Sequence, residues 1–170
     1  MKKLIEGQGY VIAAKNIRIE LKNEYPTVKF SVVSKSYSGG DSVRVNWIDG
    51  PSQKEVEAII NKYEYGRFDG SIDLYEYNKD HSFTDKYGST KYAFANRDHS
   101  DISIQRALDS MYSKYQANFE RDGLPKPTTE DYRNGLLRSS KFQLSGGFNH
   151  DFVEREFYAI LSGSELQQVA

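Results

Sequence analysis

Between Tyr10 and Tyr63 the hydrophobic period of the chain switches from helical to alternating and back, which restricts this half to a few layouts. Tyr10, Ala13, Ala14, Ile17 and Leu21 fall on one helical face. Pro26 closes that helix, because the residue before a proline resists helical geometry. Val28, Phe30 and Val32 then alternate with Lys29 and Ser31, and Val43, Val45 and Trp47 alternate with Arg44 and Asn46. Ser34 to Asp41 connects the two runs, with Gly39-Gly40 supplying the permissive backbone of a hairpin. Asp49-Gly50-Pro51 makes a turn. Ser52-Gln53-Lys54-Glu55 is a capping box opening a helix with Val56, Ile59, Ile60 and Tyr63 on one face, and Gly66 is a plausible stop. A hairpin with both helices on its apolar face is the simplest packing.

The rest is less periodic. Asp73–Tyr77 and Lys91–Asn96 are candidate strands, and the polar Asn78–Gly88 between them reads as a loop. Ser100 or Asp101 can cap a helix to about Phe119, striped with Ile104, Ala107, Leu108, Met111 and Tyr115. A short helix is expected over Thr129–Leu136. A last one carries Phe152, Val153, Phe157, Ile160 and Leu161, with Asn149 as its cap and a fraying tail after Gly163. The fold class expected is therefore α+β. A helix–β-hairpin–helix unit with a small, mostly antiparallel sheet occupies residues 1–100, and a helical extension over 101–170 packs on it.

Composition excludes several classes. The absence of cysteine rules out disulfides, thiolate metal sites and a cysteine nucleophile. No apolar run approaches the ~20 residues of a membrane helix, and the basic start at Lys2-Lys3 lacks the apolar stretch of a signal peptide. A cytoplasmic location in a bacterial host fits. The net charge of −1 argues against a strongly basic nucleic-acid binder and a strongly acidic mimic alike.

Catalytic motifs are absent. There is no Gly-x-Ser-x-Gly elbow, and Gly7-Gln8-Gly9 lacks the third glycine of a phosphate loop. His81, His99 and His150 each sit beside an aspartate and are candidates for metal or acid–base work, but without helical ligand spacing they read as loop histidines. No cofactor and no metal is expected. Trp47 with Asp49-Gly50-Pro51 reads either as a recognition patch or, more simply, as core and turn.

Thirteen tyrosines are the unusual feature, since tyrosine joins an apolar ring to a polar tip and serves contact surfaces. They interleave with acids in residues 51–87, so Tyr63, Tyr65, Phe68, Asp69, Asp73, Tyr75, Glu76 and Tyr77 form the candidate partner-binding set. Inward packing of Tyr75 and Tyr77 in a third strand is the alternative. Residues 1–50 are instead mildly basic, and Lys29, Lys35 and Arg44 are candidates for touching phosphates.

The run Arg44-Val45-Asn46-Trp47-Ile48-Asp49-Gly50-Pro51 leads into Val56-Glu57-Ala58-Ile59-Ile60, Phe68-Asp69-Gly70 and Asp73-Leu74-Tyr75-Glu76-Tyr77. With Ala14-Lys15-Asn16-Ile17-Arg18 and Val28-Lys29-Phe30-Ser31-Val32 upstream, residues 12–97 resemble the large polyvalent protein-associated domain 29 family. The resemblance implies a phage or plasmid context, and the helices after residue 100 are additions to the family pattern. It favours a non-enzymatic accessory protein that binds a host protein, with inhibition of a restriction or CRISPR defence as the role in view. A nucleic-acid-binding module is the alternative, and a small enzyme with unidentified catalytic residues the second.

Overall fold

Helix α1 (Gly9–Glu24) and strands β1 (Ser31–Tyr37) and β2 (Gly40–Ile48) realise the first period switches, and α2 (Gln53–Ile60) follows. The computed structural model describes residues 2–71 and 73–162; the expected fraying after Gly163 lies outside them. The chain divides into two compact units, Met1–Asp98 and His99–Ala170.

In the first unit β1 and β2 pair antiparallel, with Val32 opposite Val45 and Ser34 opposite Val43. Val32, Val43, Val45 and Trp47 point to the inner face, where Ala13, Ala14, Ile17 and Leu21 of α1 and Val56 and Ile60 of α2 complete one core. Both helices thus cover the apolar face of the hairpin, as expected. Trp47 is 3% exposed, donates from Nε1 to the Pro51 carbonyl at 3.0 Å, and packs its ring 5.7 Å from Phe30. The Ser52–Glu55 capping box is formed in both directions.

Several boundaries differ from those read in the sequence. Val28 and Phe30 pack on the core from the segment before β1, which starts only at Ser31. The hairpin connection shrinks to Ser38-Gly39, because the strands extend to Tyr37 and Gly40. Gly66 does not stop a helix. It opens the ribbon β3 (Gly66–Asp69) and β4 (Leu74–Tyr77), where a Cβ would lie 2.4 Å from the Glu76 carbonyl oxygen. The segment expected as loop contains helix α3 (Ser82–Tyr87), whose Phe83 and Tyr87 pack against the core. Polar residues around two aromatics hid it. Gly88 ends α3 at φ +84, and its bare Cα lets α1 approach: a Cβ would meet the Ala13 nitrogen at 2.5 Å.

The largest revision concerns β5 (Tyr92–Asp98), which pairs parallel to β2 and makes a mixed three-stranded sheet in the order β1-β2-β5. Asn16, fully buried, ties further pieces to α1. Its Oδ1 accepts from Ile5 N, and its Nδ2 donates to the carbonyls of Ile5 and Tyr87, each at 2.8 Å.

The second unit is helical. Helix α4 (Asp101–Arg121) starts at Ser100, whose hydroxyl accepts from Ser103 N, and kinks at Tyr115. Ile104, Ala107, Leu108 and Met111 pack with Val153, Phe157, Ile160 and Leu161 of α6 (Phe152–Leu161). Between them, α5 (Thr129–Arg133) is shorter than expected, with a Thr128–Asp131 capping box. The N-cap of α6 is Asp151, which makes no side-chain cap, and Asn149 accepts from Phe152 N through its backbone carbonyl. Among the described residues no helix is long and apolar enough to cross a membrane.

Replacing Trp47 by alanine empties a core site and is expected to lower stability by about 3–5 kcal/mol in urea denaturation. An unchanged midpoint would contradict the core placement.

Candidate functional site

Strand β5 is built inside out. In most half-buried strands the large apolar residues face the core, but here Ala93 and Ala95 point inward and Tyr92 and Phe94 point outward. Small inward residues let α2 lie close on the strand. The consequence is an outer sheet face carrying rings, with Phe94 42% exposed.

The registers set the outer face in rows. Lys35, Ser42 and Tyr92 form one, Val33, Arg44 and Phe94 the next, and Ser31, Asn46 and Asn96 the third. The Arg44 guanidinium lies 5.7 Å from the centre of the Phe94 ring, and Tyr92 stacks on Phe94 at 6.0 Å and 23°. Val33, Lys35, Tyr37, Ser42, Arg44 and Asn46 line an open groove on this face.

The tyrosine ribbon continues the same surface. Tyr75 meets Tyr92 edge-on at 5.9 Å, Tyr65 meets Tyr75 at 5.9 Å, and Tyr77 stacks on Tyr65 at 5.9 Å and 10°. Five rings, from Tyr77 through Tyr65, Tyr75 and Tyr92 to Phe94, therefore run contiguously from ribbon to sheet. Tyr75 donates its hydroxyl to the Lys91 carbonyl at 2.9 Å, and burial pushes its phenol pKa up. The Lys91 ammonium lies 5.3 Å from the Tyr75 ring and 5.6 Å from that of Tyr92, and donates to the Gly39 carbonyl at 2.9 Å. Arg44 and Lys91 thus both sit on ring faces of the track, where a cation meets the negative face of a π system.

Two carboxylates hold the start of β5, Glu64 from the segment before the ribbon and Asp41 from β2. Glu64 accepts from Ala93 N at 2.6 Å, and Asp41 accepts from Lys91 N and Thr90 Oγ1, each at 2.8 Å. Burial pushes the Glu64 carboxyl above its ordinary pKa, partly opposed by that backbone hydrogen bond.

The candidate set from sequence separates into groups. Tyr63 is fully buried and donates its hydroxyl to Glu20, so it is core and not surface. Tyr65, Tyr75 and Tyr77 form the track. Glu76 alternates with Tyr75 and Tyr77 along β4 and so lies on the other side of the ribbon, and Asp73 sits in its turn at φ +53. The side chains of Phe68 and Asp69 lie outside the described residues. Lys35 and Arg44 are on the outer face, whereas exposed Lys29 precedes β1. Sequence reading missed Lys91, Tyr92, Phe94 and Asn96 as site residues. Their signal was the alternation of rings with alanines in Tyr92-Ala93-Phe94-Ala95. His81 precedes α3 and His150 precedes α6. Among the described residues no group of three or more His, Asp or Glu could hold a metal.

The family described as large polyvalent protein associated domain 29 matches residues 10–119. The match extends beyond the expected 12–97 and takes in most of α4, which is therefore part of the family pattern and not an addition to it. No curated protein and no solved structure matches the chain.

Because the folded-state pKa of Glu64 is raised, its protonated form contributes stability fully present below the ordinary carboxylate pKa and lost as pH rises through the folded value. Urea denaturation should show wild type losing stability relative to Glu64→Gln as pH rises from the ordinary carboxylate pKa through the raised folded value. A difference that is independent of pH, or of the opposite slope, would contradict the burial of this carboxylate.

Proposed function

This chain belongs to the large polyvalent protein associated domain 29 family, and we propose that its outer sheet face binds single-stranded nucleic acid. The inside-out strand β5 carries the reading. Turning half-buried Tyr92 and exposed Phe94 outward while alanines face the core sacrifices hydrophobic stabilisation, and outward-facing rings in contact with one another mark binding surfaces. Rings that stack bases, interleaved with cations that meet phosphates, are what a single strand needs. Lys35, Arg44 and Lys91 supply the charge, and Glu76 is turned away from the tyrosine face. A base settling on Phe94 displaces the Arg44 guanidinium from the ring and frees it for the neighbouring phosphate. The site is small and local, which suits a protein of near-zero net charge.

Capture of a host protein, including a component of a restriction or CRISPR defence, is the second reading. It is favoured by the ribbon, which exposes Leu74 at its turn end to 60% and Tyr77 at the opposite end to 69%. On that reading the acids steer approach to a basic partner, and binding is indifferent to nucleic acid.

Fluorescence anisotropy with a labelled single-stranded oligonucleotide tests the proposal. With three phosphate-facing cations the logarithmic salt slope should be about −2, so affinity falls about 20-fold between about 50 and about 200 mM salt. Phe94→Ala should cost about 1–3 kcal/mol of binding while the protein stays folded. No binding at low salt, or affinity unmoved by both Phe94→Ala and Arg44→Ala, would reject the proposal.

A further inference from the structure

The ring track is not uniform along its length. Phe94 and Tyr77, at its two ends, are exposed, whereas Tyr92, Tyr75 and Tyr65 between them are half-buried. The middle is also covered. The Lys91 ammonium lies on the rings of both Tyr75 and Tyr92 and is tethered to the Gly39 carbonyl at 2.9 Å. Its stem runs close beside Gly40, where a Cβ would lie 2.6 Å from Lys91 Cδ. The Tyr75 hydroxyl donates to the Lys91 carbonyl, which holds that ring in place. Arg44, the cation on Phe94, is different: among the described residues no hydrogen bond or ion pair ties its guanidinium down, so it gives way to a base. At the other end Tyr77 stacks one face on Tyr65 and leaves the opposite face open. The acids beside the middle stretch, Asp41 and Glu64, are turned to donors at the start of β5. Tyr37 is exposed too, but it makes no ring contact with the track and donates its hydroxyl to the Asp41 carbonyl at 3.3 Å.

We propose that a bound single strand is gripped by its first and fourth bases, one on Phe94 and one on Tyr77. The two nucleotides between them stack on no ring, and their phosphates meet Lys91. This rests on the nucleic-acid reading above and adds a second base platform and a fixed footprint. The ring-to-ring steps from Phe94 through Tyr92 and Tyr75 to Tyr77 are 6.0, 5.9 and 5.3 Å. An extended sugar–phosphate repeat covers about one such step, so the site holds about 4 nucleotides, the low end of the ~4–16 that an OB fold covers. Neither platform selects a base, because every base has a π face.

The probe is labelled tetrathymidylate and its four versions with one base removed, titrated by anisotropy at low salt. For the wild type, loss of either terminal base should weaken binding about tenfold, and loss of either inner base should leave it unchanged. Tyr77→Ala, shown to be folded by its thermal transition, should weaken tetrathymidylate about tenfold and abolish the effect of removing one terminal base. Lys91→Ala uncovers Tyr75 and Tyr92, so its binding should become sensitive to loss of the inner bases. Equal losses at all four positions of the wild type would overturn the two-ended grip and leave general single-strand binding standing. Unchanged affinity in folded Tyr77→Ala would overturn the second platform and leave that ring to the host-protein reading. Failure to bind longer oligothymidylate as well would overturn both this inference and the reading it rests on.

Discussion

The parallel pairing of β5 with β2 is the constraint on which the N-terminal unit depends. Parallel neighbours cannot be joined by a tight turn, so the chain must cross over between them. That crossover is residues 49–91, and it carries α2, the tyrosine ribbon and α3. The helix goes to the inner face and closes the core on Ala93 and Ala95, while the ribbon comes to rest beside the outer face. One topological requirement thus delivers both the packing and the track of rings.

The register of that pairing is held by polar contacts at its start. Asp41 at the head of β2 accepts from Lys91 N and Thr90 Oγ1, and Glu64 from the crossover accepts from Ala93 N. A slip by one residue would turn Tyr92 and Phe94 into the core and Ala93 and Ala95 out. Such carboxylates are costly to bury unless hydrogen-bonded, so their donors specify the register more than they add net stability. Position and exposure of the rings therefore trace back to two acids that look in sequence like parts of a solvated charge pattern.

Much of the N-terminal fold was legible in the residues. The helix–hairpin–helix order, the core face of Val43, Val45 and Trp47, and the Ser52–Glu55 cap all follow from local rules of period and hydrogen bonding. What was not legible depends on long-range pairing. Lys91–Asn96 has a strand pattern, but nothing local says that it lies parallel to β2, and only that pairing puts Phe94 beside Arg44. The tyrosine excess pointed to Tyr65, Tyr75 and Tyr77, while Tyr63 had an equally good claim to the helical core stripe and takes that place. Acids and tyrosines interleaved in sequence separate in space, because Glu76 alternates with its aromatic neighbours across the ribbon.

Amide chemical shifts of the labelled protein, followed as a single-stranded oligonucleotide is added at low salt, test the central claim most directly. The account predicts saturable shifts at Lys35, Arg44, Tyr75, Lys91 and Phe94, with α1 and its buried face unmoved. An unchanged spectrum, or shifts confined to the helical face of the unit, would contradict it.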